Sequence, residues 1–396
     1  MNGFKATNAH STGLIRYDRE PAAVSGSIQP HGILLVFSNP ELNFLQVSTN
    51  IWEHLGFQPQ DLLGQPLQML LNPEDIEFMQ QELQDTGQIS FLKLPVCTST
   101  GERPFDGTAH QLETIVLLEL EPTFSAVESY GFTPLAKRGF NVQFWVKRAI
   151  AQLRQVANLS EFLQLATEEV RKITGFDRVM VYQFDPQGAG AVVAEARRDD
   201  LPTYLGLHYP ATDIPDPVRA LYQRGLLRFI PDLRARSIEL IPPDNPVTQQ
   251  PSDLSRVVLR GVDPCCVEYH QNMGVAAILV VALIKEQTLW GLISCHHQSP
   301  KLLPYNVRET CELLGQFISS ELANKVDHEE LDYMVKLRSL QSEFVESIAQ
   351  ADDLKNALVN PAPRLLDLVS AQGAAVCLED ELTLLEQLPP LSRFMC

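Results

Sequence analysis

The sequence predicts an α+β protein of two or three domains, with antiparallel sheets flanked by helices, and three observations predict it. The chain has 396 residues, more than one ordinary hydrophobic core accommodates. Its first third and its middle alternate short apolar strands with short amphipathic helices. From Asn306 the apolar residues recur at helical spacing, without a proline, to about Ala349.

Acidic residues outnumber basic ones, 49 against 31, for a formal net charge of −18 with no basic cluster. Nucleic acid and anionic membrane surfaces are therefore not expected as main partners. The seven cysteines are irregularly placed and form no CxxC framework, which suits a reducing cytoplasm. The opening residues lack the apolar core of a signal peptide, and the apolar run Val275 to Ile284 is about half the ~20 residues of a membrane helix. A cytoplasmic protein without membrane spans is the expectation.

Residues 1–17 read as an N-terminal arm. Arg19 to Gly32 holds two glycines and two prolines, which fix an irregular path into the apolar strand Ile33 to Phe37. A second strand, Phe44 to Ser48, alternates, and Asn50 is placed to cap a helix over Ile51 to Leu55. Further strands are expected at Ile89 to Val96, Thr108 to Gln111 and Thr114 to Glu121, so a first domain spans 18–125 and 126–141 is a linker.

The second domain, 142–305, begins with amphipathic helices over Val142 to Val156 and from Ser160 to Ile173. Strands are expected at Arg178 to Phe184 and Gly190 to Arg197. The segment Gly206 to Pro215 has too many prolines for a regular element, yet is rich in rings, as a loop lining a site would be. A helix around Pro217 to Leu226 and a short stretch Arg228 to Asp232 lead into a Pro-rich excursion ending near Asp253, too long for a mere connection. Strands Ala276 to Leu283 and Leu289 to His297 complete the domain. The long helix, 306–349, carries Leu313, Phe317, Leu322, Val326, Leu331, Val335, Leu340, Phe344 and Ile348 at roughly heptad spacing, which predicts pairing with a second copy. Residues 350–396 add a helix after Pro361 and a strand Ala374 to Leu378, the start of a third domain.

The chemistry concentrates in Gly261 to Gly274. Asp263 and Pro264 suit a helix start, and helical spacing stacks Cys265 over Tyr269 and Cys266 over His270. A helix N-terminus stabilises a thiolate, so covalent capture of an electrophile, thiol chemistry or metal binding are all open. Two small buried hydrophobes are equally open, since free cysteines often serve as such.

Several motifs in one register resemble the phytochrome photoreceptors over nearly the whole chain. Ser27-Ile-Gln-Pro-His-Gly-Ile-Leu-Leu35 is similar to the start of their PAS domain. Thr174-Gly-Phe-Asp-Arg-Val-Met-Val-Tyr-Gln-Phe184, Tyr209-Pro-Ala-Thr-Asp-Ile-Pro215, Glu268-Tyr-His-Gln-Asn-Met-Gly274 and Leu289-Trp-Gly-Leu-Ile-Ser-Cys-His-His-Gln298 are similar to their GAF domain. The resemblance implies PAS and GAF domains joined through a knot, in which the segment around Ile28 threads the Pro-rich excursion, then a long helix and a fragment of a PHY domain. It implies a red/far-red photoreceptor module holding a linear tetrapyrrole, phycocyanobilin with biliverdin as the alternative, signalling by isomerisation of that bilin. It places Cys265 as the attachment residue. Asp213 would offer its main-chain carbonyl to the pyrrole nitrogens, beside Ile214 and Pro215. Tyr182, Tyr209 and Tyr269 would surround the last ring and His296 would bond its carbonyl. Arg228 and Arg260 would pair with the propionates, a task suited to the guanidinium fork.

Three departures from the family stand out. Tyr17 occupies the place where biliverdin-binding bacterial members carry an attachment cysteine, which favours Cys265 as the anchor. Cys266 replaces a histidine that packs over the pyrroles, and a thiol is a poor substitute for its hydrogen bonds. Ile278 and Val280 replace hydroxyl residues that help hold a propionate. Readings from other classes are a GAF-type cyclic-nucleotide sensor without pigment, and a zinc or thiol enzyme using Cys265, Cys266, His270, Cys295 and His296. Adjacent helical residues diverge by about 100°, which fits tetrahedral ligation poorly. No histidine-kinase or nucleotide-binding motif is present, so the chain itself is not expected to be an enzyme.

Overall fold

Pairing of short apolar strands gives two antiparallel sheets, of seven and six strands, within the first of two compact units, Met1–Ser320 and Glu321–Cys396. The computed structural model describes residues 26–123 and 142–350, with 358, 366, 371, 373–378 and 381–386. The expected arm with Tyr17, the linker 126–141 and most of the helix expected after Pro361 lie outside the described residues.

The first sheet contains β1 (Ser27–Ile28), β2 (Ile33–Ser38), β3 (Phe44–Ser48), β4 (Gln88–Thr98), β5 (Gly101–Gln111) and β6 (Ile115–Pro122). Helices α1 (Ile51–Leu55), α2 (Pro59–Leu62) and α3 (Pro73–Thr86) lie between β3 and β4, and the apolar residues of α3 join Phe37, Phe44 and Phe105 in one core. β5 runs seven residues further back than Thr108 because Pro104 is tolerated opposite Pro95. Asn50 does not cap α1 through its side chain; its amide donates instead to the carbonyls of Gly32 at 2.8 Å and Pro30 at 3.4 Å. Asn50 is 3% exposed, and its amide serves those two carbonyls instead of the first N–H groups of the helix.

The Pro-rich excursion contains an unexpected strand, β11 (Ile238–Ile241), which joins the first sheet between β1 and β3. A strand of four residues set just before Pro242 is too short to show alternation. Ile28, fully buried, pairs with Ile238 on one side and bridges Arg260 on the other, so the chain before and after the excursion's end flanks it.

The second sheet runs β10 (Leu227–Ile230), β12 (Ala277–Lys285), β13 (Thr288–His297), β7 (Arg178–Phe184), β8 (Gly190–Arg197) and β9 (His208–Tyr209). The last of these shows that the Pro-rich ring segment does contain one short strand. Residues directly opposite on paired strands share a face. One face therefore carries the rows Arg228, Val280, Ser294, Met180 and Ile230, Ile278, His296, Arg178. Helices α4 (Val142–Leu153) and α5 (Leu159–Thr174) precede the sheet; Asn158, not Ser160, caps α5 by accepting from the Glu161 N–H at 3.0 Å. Helices α6 (Asp216–Arg224) and α7 (Pro264–Asn272) belong to the site.

Helix α8 (Tyr305–Gln350) matches the expected long helix. Its start is fixed to β6 by Arg308, whose Nη2 donates to both carboxylate oxygens of Glu121 at 2.8 and 2.7 Å. In the second unit β14 (Gly373–Leu378) pairs with β15 (Glu381–Glu386), a hairpin partner not anticipated from sequence. No helix among the described residues is long and apolar enough to cross a membrane.

Candidate functional site

The site is assembled from four places on the second sheet's polar face. Asp263 begins α7 as expected: its Oδ1 accepts from the N–H groups of Cys265 at 2.7 Å and Cys266 at 3.4 Å. The next turn stacks Cys266 against His270, with Sγ 3.6 Å from Nδ1, while that same Nδ1 donates to the Cys266 carbonyl at 2.8 Å. Cys265 is half-buried beside it. Burial pushes the Cys266 thiol up to about 11, outweighing the nearby Arg228, so it is a neutral thiol at ordinary pH.

Tyr182, Tyr209 and Tyr269 are brought together. The first two rings lie 5.8 Å apart, and the Tyr269 hydroxyl donates to the Asp213 carboxylate at 3.2 Å. Ile214 packs with Tyr182 and Tyr209, and Pro215 is the N-cap residue of α6. Gly190 makes room for Tyr182, since a Cβ there would stand 2.2 Å from its Cε1. The Tyr182 hydroxyl is buried without a hydrogen-bond partner, and burial, then the Asp213 charge, pushes it up to about 12.

His296 is 6% exposed; its Nε2 meets Ser294 Oγ at 3.1 Å, its Nδ1 has no partner, and its ring lies 5.4 Å from that of His270. Burial, reinforced by His270 and Arg178, lowers it to about 3, so the ring is neutral. Arg228 and Arg260 are both buried. Arg228 donates to the carbonyls of Val258 at 3.1 Å, Arg260 at 2.9 Å and Gly261 at 2.7 Å, and Arg260 donates to Val257 O at 3.0 Å. Neither forms an ion pair with a carboxylate among the described residues. Burial and then the charge of Arg260 pull Arg228 down to about 9.

Tyr222 on α6 and Ser294 on β13 also belong to the site. Tyr222 packs against the Tyr182 cluster, and burial followed by the proximity of Cys266 pushes it up to about 12. Helical spacing on so short an element does not single it out. Ser294 is two residues before His296 on the same face, which strand alternation could have found. Among the described residues no group of three or more His, Cys, Asp or Glu side chains is placed to hold a metal ion, so the zinc reading loses its geometric support.

Two α+β domains share one compact unit, with a ring-lined site on the second, and a long helix follows in the chain. Family models match the PAS fold over residues 17–123, the GAF domain over 158–326 and the phytochrome region over 337–395. Cyanobacterial phytochrome B of Nostoc sp. is 41% identical, with 99% of this chain and 51% of that protein covered. Phytochrome-like protein Cph1 of Synechocystis sp. is 39% identical, with 91% of this chain and 48% of that protein covered. This chain thus spans about half the length of the curated relatives it matches. The crystal structure of the chromophore-binding domain of the bacteriophytochrome RpBphP3 from R. palustris is 37% identical with a TM-score of 0.70, covering 79% of this chain and 99% of that one. The photosensory core module of Stigmatella aurantiaca phytochrome is 36% identical with a TM-score of 0.73, covering 95% and 74%. The chain belongs to the phytochrome family.

Proposed function

We propose that this chain is a red/far-red photosensory module that holds a linear tetrapyrrole, attached through Cys265. The observation that carries the proposal is the pair Arg228 and Arg260, two buried guanidinium groups with no carboxylate ion pair among the described residues. Buried charge without a counter-charge is costly, so an anionic ligand is called for. The propionates of a bilin supply it. The unpartnered Tyr182 hydroxyl and His296 Nδ1 fit the same ligand, because buried polar atoms without partners are rare and these two border one site. When bound, the tetrapyrrole supplies light absorption and photoisomerisation.

Each residue then has a physical task. Cys265 is the nucleophile at a capped helix start. Tyr182, Tyr209 and Tyr269 enclose the last ring, with Ile214 and Pro215 shaping the loop that presents Asp213 and its carbonyl. His296 is a neutral donor to a ring carbonyl, and Cys266 packs over the pyrroles. Phycocyanobilin is the pigment we favour, with biliverdin the alternative. The reading takes 18–125 as the PAS domain, 142–305 as the GAF domain, 306–349 as a helix that pairs with a second copy, and 350–396 as the start of the PHY domain, in a cytoplasmic protein whose output activity resides elsewhere.

Mixing apoprotein with phycocyanobilin tests this. A pigment that survives denaturation, seen by zinc-enhanced fluorescence on a gel, should be lost in Cys265→Ala and kept in Cys266→Ala. No coloured adduct, with saturable binding of a cyclic nucleotide instead, sinks the pigment reading.

A further inference from the structure

Residues 257–261 form the short run that delivers the chain into α7, and the segment Ser27 to Gln29 is bonded to it at every other backbone group. The Gly261 N–H donates to Ser27 O at 2.7 Å, and the Gln29 N–H donates to Leu259 O at 2.7 Å. On the other side Leu259 N donates to Glu119 Oε2 at 2.8 Å. The side chain of Gln29 does something different from these contacts. It is 5% exposed, and its Nε2 lies 3.0 Å from Phe229 O on β10 and 3.3 Å from both Val258 O and Arg260 O. One amide group therefore ties a strand of the second sheet to the run that ends at the thiol helix. Arg228, from the same strand, reaches the carbonyls of Val258, Arg260 and Gly261 from its own side.

We propose that Gln29, a residue of the first domain, is a positioning residue for Cys265, acting through the carbonyls of Val258 and Arg260. The proposal rests on the reading of Cys265 as the attachment thiol. Cys265 follows Gly261 by four residues, one of them Pro264 and another the cap Asp263. So short and stiff a tether absorbs little displacement, and a movement of the carbonyl run passes to Sγ. Displacing a reacting group by about 1 Å can slow a reaction on the order of a hundredfold.

Gln29→Met keeps the volume and removes the donors. Attachment of phycocyanobilin should saturate at the same pigment concentration while its maximal rate falls about tenfold or more. In the apoprotein, alkylation of Cys265 by iodoacetamide, followed by peptide mass, should become faster because α7 is released, with Cys97 unchanged. A core truncation in α3, Leu83→Ala, serves as the control for lost stability, since Leu83 is buried far from this run in sequence and in a separate core cluster. If Gln29→Met fails to fold, Gln29→Leu, which also has no donor and a similar volume, replaces it. Wild-type rates in both arms overturn the proposal, as does an equal change in Leu83→Ala. Should the wild type attach no bilin, the pigment reading has failed, and the alkylation arm alone decides whether Gln29 sets the position of the thiol.

Discussion

The Tyr269 hydroxyl and the Asp213 carboxylate, 3.2 Å apart, join the thiol-bearing helix to the loop that opens α6. The bond is between a helix and a loop, and Tyr269 is 37% exposed. Tyr269→Phe should therefore cost only about 1 kcal/mol of stability, as should Asp213→Ala. Together they should cost little more than either alone, a coupling that denaturant melts of the four proteins would reveal. Fully additive losses would show that the two groups do not interact in solution.

The resemblance puts Cys266 at the position of a family histidine, and burial pushes its thiol up to about 11, so it is neutral. A thiol gives weaker hydrogen bonds than an imidazole, so less stabilisation of a protonated pigment is available. In absorbance titrations the loaded wild type should change colour at a lower pH than Cys266→His, and it should photoconvert less completely. Identical midpoints and photoproducts in the two proteins would make Cys266 a bystander.

His296 is buried and His31 largely so, and desolvation lowers them to about 3 and about 4, so both rings are neutral. Both values lie below the ~6.5 of an unfolded histidine, so between them the unfolded chain binds more protons than the folded one. Stability should fall as pH drops below about 6.5, with each histidine adding up to ~1.4 kcal/mol per pH unit. Thermal melts of the apoprotein between pH 7 and pH 5 should show the loss, and His31→Gln should flatten it. A slope unchanged in His31→Gln would mean that this ring is already protonated in the fold.

Leu331 and Val335 on α8 are 56% and 67% exposed, with Val345 at 64%. Apolar side chains at heptad spacing on one helix are expected to be covered by another. Light scattering should report twice the chain mass, and Leu331→Glu with Val335→Glu should give a monomer that still takes up pigment. A wild-type monomer at micromolar concentration excludes the pairing.

Long, uniformly patterned elements are legible in the sequence alone. β7 and β8 fall at Arg178–Phe184 and Gly190–Arg197 as alternation predicts, and α8 ends one residue from its expected limits at each end. What the sequence could not reveal are pairings decided at a distance. Ile238 to Ile241 is a strand because β1 and β3 leave a gap between them, not because of its own pattern. Asn50 has a good capping side chain, but two carbonyls of the turn before β2 claim it first. In the site, the motifs single out the tyrosines and His296, whereas the engagement of Arg228 with three backbone carbonyls depends on how residues 257–261 fold back.

Strand β11 is the feature with the widest reach. Its residues belong by sequence to the second domain, yet its hydrogen bonds are made with β1 and β3 of the first. Neither domain can then be produced intact from its own stretch of gene: the first would have a gap in its sheet, and the second an unpaired strand and a loop wrapped around nothing. Heating should melt both in a single step, and a protease nick in the 124–141 interval should leave two fragments that travel together until denaturant is added.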